Sequence, residues 1–190
     1  MTLIPAFNIG VWNAWIPMLC SLIPTLLLPV IFKEREREDS FTIEFNQTQK
    51  TALISLHIIY LLLAIYSIFL PLKLDTVWFY VGLPTFLLGL MLITIVFINL
   101  ATTPSDKPAI KGVYRYSRHP MYLTPFLVFI GVGITSASWV FLLLSIIYII
   151  MPPFFVAKEE QFLIKQYGDA YRAYMSRTPR WIGIPKKGII

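Results

Sequence analysis

Four long stretches of the chain, residues 1–32, 51–72, 76–105 and 120–157, contain no Asp, Glu, Lys or Arg. A helix needs only about 20 apolar residues to cross the hydrocarbon core of a bilayer, so each stretch can supply a span. The first lacks the basic leader of a signal peptide and carries Pro5, Pro17, Pro24 and Pro29, which predicts a kinked span. The fourth holds 38 residues. As one helix it would reach about 57 Å, nearly twice a core of about 30 Å, so it must break. The predicted break is "GVGITSAS" at 131–138, a turn where glycines and small hydroxyl residues let the chain reverse. The pattern therefore predicts an all-α polytopic membrane protein with five transmembrane helices. The last two, 121–134 and 139–157, form a tight hairpin, and the segment "KEEQFLIKQYGDAYRAYMSR" continues the final span as a polar helix. Glu160, Ile164, Tyr167, Tyr171 and Tyr174 fall on one stripe of that helix, and Gly168 weakens it locally. No repeat or long linker divides residues 1–190, which read as one domain.

Composition agrees with the pattern. The chain is 57% hydrophobic and 14% charged, which excludes an ordinary soluble domain of this length. Cys20 is the single cysteine, so neither an intrachain disulfide nor a paired-cysteine metal motif is possible, and no metal is expected. The net charge of +6 resides between the apolar stretches, where it favours anionic lipid headgroups over nucleic acid. With the amino terminus outside, residues 33–50, 101–119 and those after 157 hold four, four and seven of the 16 lysines and arginines, leaving Lys73 on the far side. That asymmetry predicts the amino terminus outside and the carboxyl terminus cytoplasmic.

This orientation brings two polar motifs to the same face. The first is "GVYRYSRHPMY" at 112–122, in which Pro120 suits the first turn of a helix and puts Arg118 and His119 at the membrane surface. Taken alone, the cluster reads most simply as an interfacial anchor of tyrosines and snorkelling arginines. The second motif is the pair Glu159 and Glu160 at the end of the acid-free stretch. Acids near a helix carboxyl end oppose its dipole and call for a cationic partner. Arg118 and His119 can hold a carboxylate, Glu159 or Glu160 an ammonium or ribose hydroxyls, and tyrosine faces a base or cation. Such an inventory suits a zwitterionic nucleoside bearing a sulfonium.

Gly112, Tyr114, Arg118, His119, Pro120 and Tyr122, followed by Glu159, Glu160, Leu163, Tyr167, Gly168, Tyr171 and Tyr174, strongly resemble the isoprenylcysteine carboxyl methyltransferase and phospholipid methyltransferase superfamily. The resemblance covers roughly residues 111–181, and the first three spans match only as generic membrane helices. It implies an S-adenosylmethionine-dependent membrane methyltransferase. Its cofactor would be held on the cytoplasmic side and its lipophilic acceptor, an isoprenylcysteine-type carboxylate or a lipid amine, would arrive from the bilayer. Carried over by position, Tyr114, Tyr116, His119 and Tyr122 line the cofactor site, Glu159 and Glu160 close it, and Arg118 orders the loop or faces the acceptor; Arg118 and Glu159 are the expected catalytic pair. Asn99, near the cytoplasmic end of the third span, either reaches the cofactor or joins helices. Eukaryotic carboxyl methyltransferases place an arginine before the tail glutamate, whereas this chain has Val156 and Ala157, with Lys158 the nearest base. That departure weighs against a prenylcysteine acceptor.

Other signals carry less. "GVGITS" imitates part of a dinucleotide fingerprint without a preceding strand and reads as a turn. His57, inside the second span, is expected as a neutral histidine bonded to a neighbouring helix. "KEREREDS" reads as a solvated loop or helix start, and Arg177 and Arg180 as contacts to lipid phosphate or acceptor. Two competing functions stand beside the methyltransferase. Sterol reductases that use a nicotinamide cofactor share an "RHPxY" segment, but continue with glycine and an acid where Leu123 and Thr124 stand here. A non-enzymatic scaffold or transporter would use the same clusters only as anchors.

Overall fold

The computed structural model describes residues 9–31, with backbone alone for 25–31, and residues 43–186. The segment "KEREREDS" lies outside the described residues. Helices dominate: α1 (Trp15–Ile31), α2 (Gln47–Ser67), α3 (Val77–Ala101), α4 (Pro120–Thr135), α5 (Trp139–Ile150), α6 (Val156–Tyr167) and α7 (Asp169–Arg177). An isolated β-bridge pairs Asn13 with Pro71.

Each long helix starts where its sequence caps it. At α2, Asn46 accepts from the Gln49 backbone and the Gln49 side chain returns the bond, a capping box that satisfies two otherwise orphaned donors. The side chain of Thr76 caps α3. Along α2 the buried positions Ala52, Leu56, Ile59, Leu63 and Ser67 recur every three or four residues, so a single stripe faces the protein. The opposite face leaves Ile54, Ile58, Leu61 and Ile65 exposed, as a helix bathed in lipid does.

Small residues decide the closest packing. Gly82, Phe86, Gly89, Ile93 and Val96 form the buried stripe of α3 against α4. A Cβ on Gly89 would stand 2.7 Å from the Val128 nitrogen, and one on Gly82 would stand 2.5 Å from the Thr135 nitrogen. Gly131 of α4 receives Phe86 in the same way. The two backbones thus touch along a seam that no larger residue would permit.

The fourth apolar stretch does break, though not everywhere as predicted. "GVGITS" is helical through Thr135, and the turn lies at Ser136–Ser138, with Ala137 in the left-handed region at φ 49°. Ser138 caps α5, accepting from the Phe141 nitrogen. The expected helix 139–157 then ends at Ile150, because Pro152 and Pro153 cannot donate to the ladder. After a single 3₁₀ turn, Pro152–Phe154, α6 departs at 45° instead of continuing straight. Helix α6 in turn ends at Gly168, whose φ of 57° and ψ of −130° suit only glycine, and α7 follows.

Helices α2 and α3 are long and apolar enough to cross a membrane, and a third crossing results if α5 and α6 count as one bent span. The apolar segments Trp15–Pro24 and Pro120–Thr135 are shorter. By length alone, the described helices thus give two or three crossings, against the five expected. His57 departs from expectation too: it is exposed on α2, and its Nδ1 bonds the Leu53 carbonyl of its own helix at 2.8 Å.

Candidate active site

Pro120 opens α4 without leaving an orphaned donor, and this fixes His119 just outside the helix. Helix α6 carries Lys158, Glu159, Glu160 and Lys165 and forms the polar extension beyond apolar α5. The bend at the prolines points its first turn at the start of α4. There His119 Nε2 lies 3.2 Å from Glu160 Oε1, although 41 positions separate the two residues. Arg118 Nη1 meets the same oxygen at 2.9 Å as an ion pair. A third cation comes from the tail: Arg180 donates through Nε to Oε1 at 3.1 Å and through Nη2 to Oε2 at 2.5 Å.

Glu160 is only 2% exposed. Burial alone would raise its carboxyl, but hydrogen bonds from His119 and Arg180 and the charge of Arg118 outweigh it and hold the group at about 2. The adjacent Glu159 behaves in the opposite sense. Burial pushes its carboxyl above the ordinary value, against the hydrogen bond from Tyr122 and the influence of His119. The Tyr122 hydroxyl donates to Glu159 Oε1 at 2.7 Å, and His119 Nδ1 is 3.7 Å from Oε2. His119 therefore sits between two carboxylates of unlike character, one saturated with cations and one still 20% exposed along its side chain.

The tail holds this arrangement together. The Arg118 nitrogen donates to the Pro179 carbonyl at 3.0 Å, the Gly183 nitrogen to the Tyr116 carbonyl at 3.1 Å, and the Ser117 hydroxyl to the Arg180 carbonyl at 3.3 Å. Trp181 lies against the His119 ring at 6.2 Å between centroids, and Tyr122 stacks on the same ring at the same separation. From α7, the Tyr174 hydroxyl donates to the Tyr114 carbonyl at 2.7 Å and lies 3.3 Å from that of Ser117. Tyr171, also buried, has a hydroxyl with no hydrogen-bond partner, as do Arg118 Nε and Asn99 Nδ2.

Of the residues singled out from the sequence, Arg118, His119, Tyr122, Glu159 and Glu160 converge on this node. Tyr114 is buried beside it and contributes its carbonyl to Tyr174. Tyr116 is 56% exposed and takes part only through its backbone. Asn99 packs its amide against Gly112, whose φ of 59° and lack of Cβ allow that approach. The stripe on the post-span helix is buried only at Glu160, Tyr171 and Tyr174, because Gly168 redirects the chain between the first and the others. Arg180, expected as a contact to lipid phosphate or acceptor, binds Glu160. Trp181 and Ser117 were not anticipated; the run "RTPRW" offers an arginine and an indole after a proline, but nothing local says what they touch.

Two helices of membrane-crossing length, α2 and α3, together with the shorter apolar helices beside them, mark an integral membrane protein. The family model for phospholipid methyltransferases matches residues 77–170, which bears out the resemblance to the isoprenylcysteine carboxyl methyltransferase and phospholipid methyltransferase superfamily. The match points to a membrane methyltransferase, and members of that family are generally dependent on S-adenosylmethionine. It begins with α3, which the motifs alone left as a generic membrane helix, and stops short of the Tyr171–Trp181 segment. No curated protein matches the chain. Among the described residues no group of three His, Cys, Asp or Glu side chains is placed to hold a metal ion.

Proposed function

We propose that the protein transfers a methyl group from S-adenosylmethionine to a lipophilic acceptor, an isoprenylcysteine-type carboxylate or a lipid amine, at the cytoplasmic surface of a membrane. One observation carries the reading: the starts of α4 and α6, distant in sequence, meet within 3.2 Å in a charged node at the foot of apolar helices. A water-soluble donor and a membrane-soluble acceptor can both reach such a boundary. The orientation with the amino terminus outside and the five-crossing arrangement belong to the same proposal and rest on the distribution of lysine and arginine.

The donor set suits a zwitterionic nucleoside. Glu159 offers a partly exposed carboxylate to ammonium or hydroxyl groups, and the spare Tyr171 hydroxyl and Arg118 Nε are donors still without partners. His119, Tyr122 and Trp181 supply aromatic faces. When bound, the cofactor supplies an electrophilic methyl group. The chain must then align the reactants and exclude water; alignment of this kind contributes about 7–11 kcal/mol in well-oriented reactions. In this assignment Glu160 is a positioning residue, because its cations occupy it fully. Glu159 faces the reaction, held in place by Tyr122. For an amine acceptor, the raised proton affinity of Glu159 suits it to take the proton, whereas a carboxylate acceptor needs no base.

The deciding experiment is incubation of membranes containing the protein with methyl-labelled S-adenosylmethionine, followed by identification of the labelled lipid. Saturable S-adenosylhomocysteine binding to the purified protein by calorimetry is expected alongside it. Absence of both binding and label transfer overturns the proposal.

A further inference from the structure

A cavity of about 570 Å³ opens beside Tyr174. Arg115, Arg177 and Lys186 line it, and Ile110, Ala170 and Ala173 provide an apolar floor. The three cations come from separate parts of the chain: the turn Gly112–Arg115, the last turn of α7 and the tail. The tail is folded back onto the helix by the bond from the Lys186 nitrogen to the Arg177 carbonyl at 2.9 Å. No acidic residue lines the cavity, and none of the three cations has an ion-pair partner among the described residues. By contrast, Arg118 and Arg180, which lie close by in the chain, are both engaged by Glu160. Unpaired positive charge around a concave surface is a site for an anion, and arginine forks suit phosphate oxygens.

We propose that this cavity binds the phosphate of an anionic lipid headgroup. Lipid is favoured as the source because Ile110, Ala170, Ala173 and Pro185 lie among the cations, and because Arg115 sits on the loop between α3 and α4, where apolar helices emerge. A membrane surface also concentrates anionic headgroups beside such a cluster. The assignment is independent of methyl transfer and stands whether or not the node holds a nucleoside.

The test uses the full-length protein in neutral detergent micelles, with bound lipid counted by native mass spectrometry during titration with phosphatidylglycerol. The triple variant Arg115→Gln, Arg177→Gln, Lys186→Gln is expected to bind phosphatidylglycerol at least tenfold more weakly than the parent. A control with the same loss of charge, Lys107→Gln, Lys165→Gln, Arg172→Gln, is expected to keep parental affinity. Equal affinity in the triple variant and the parent overturns the site. Displacement of the lipid by millimolar glycerol phosphate or inorganic phosphate overturns the lipid assignment in favour of a soluble anion. Should the triple variant not fold, Arg177→Gln and Lys186→Gln are measured singly; each is expected to weaken binding at least threefold, and no change in either overturns the proposal.

Discussion

Arg180 grips Glu160 with two nitrogens, at 3.1 and 2.5 Å, and thereby fastens the tail to α6. Glu160 also neutralises Arg118, whose side chain is 11% exposed, so its removal strands a buried charge. Breaking one partner of a buried pair costs about 3–5 kcal/mol. Glu160→Gln is accordingly expected to lower the midpoint of thermal unfolding in detergent by several degrees. Arg180→Lys, which keeps charge but loses the fork, is expected to fall between this variant and the parent. An unchanged midpoint in Glu160→Gln would show that the node does not support the fold.

The same carboxylate predicts a dependence on acidity. Its folded value, about 2, lies below the ordinary 4.5, so its contribution is complete above pH 4.5 and is lost as pH falls through 2. A shift of that size corresponds to roughly 3 kcal/mol. Chemical denaturation followed between pH 6 and 2 is expected to show stability falling across this window. The fall should be shallower in Glu160→Gln, and superimposable profiles would remove Glu160 as the cause.

Glu159 answers to the opposite sign. Its carboxyl is raised, so the protonated form persists to higher pH than in an ordinary glutamate. If the acceptor is an amine, the rate is expected to rise as Glu159 ionises, and Glu159→Gln to lower turnover by about 10²-fold or more, in the range of general acid–base contributions. Tyr122→Phe removes the 2.7 Å hydrogen bond that orients the carboxylate. A several-fold loss of kcat with a displaced pH profile is expected, and a loss confined to KM would argue that Tyr122 only contacts ligand.

Tyr174 is tested by its hydroxyl alone. Tyr174→Phe leaves the ring in place but deprives the Tyr114 carbonyl of its donor, a loss worth about 1–3 kcal/mol when the acceptor is buried. The expected readout is faster hydrogen exchange or proteolysis in residues 112–119. Unaltered protection there would show that α7 does not hold the loop.

Much of this was readable in advance because it depends on patterns that survive in one dimension. Stretches without charge mark apolar helices, and Pro120 marks where α4 begins. The meeting of His119 with Glu160 was implied by family resemblance and chemistry, since both motifs were expected on one face. Three features were not legible for definite physical reasons. Pro152 and Pro153 sit within an uninterrupted apolar run, and charge counting passed over the loss of two backbone donors. Arg180 follows the post-span helix, and its partner is fixed by the bend at Gly168, which no periodicity encodes. His57 bonds within its own turn, an option equally open to any polar side chain on an apolar helix.

The seam in which Gly82 and Gly89 admit the backbone of α4 also bears on how the node is framed. With α3 and α4 in direct backbone contact, both ends of the loop that carries Arg118 and His119 are anchored to one unyielding slab. The tail crosses the opposite side, held by a few hydrogen bonds and a partly solvated arginine fork. The strap from Pro179 to Gly183 is therefore the one wall of the node fastened by polar contacts instead of interlocked backbones, so its hold depends on charge and not on shape.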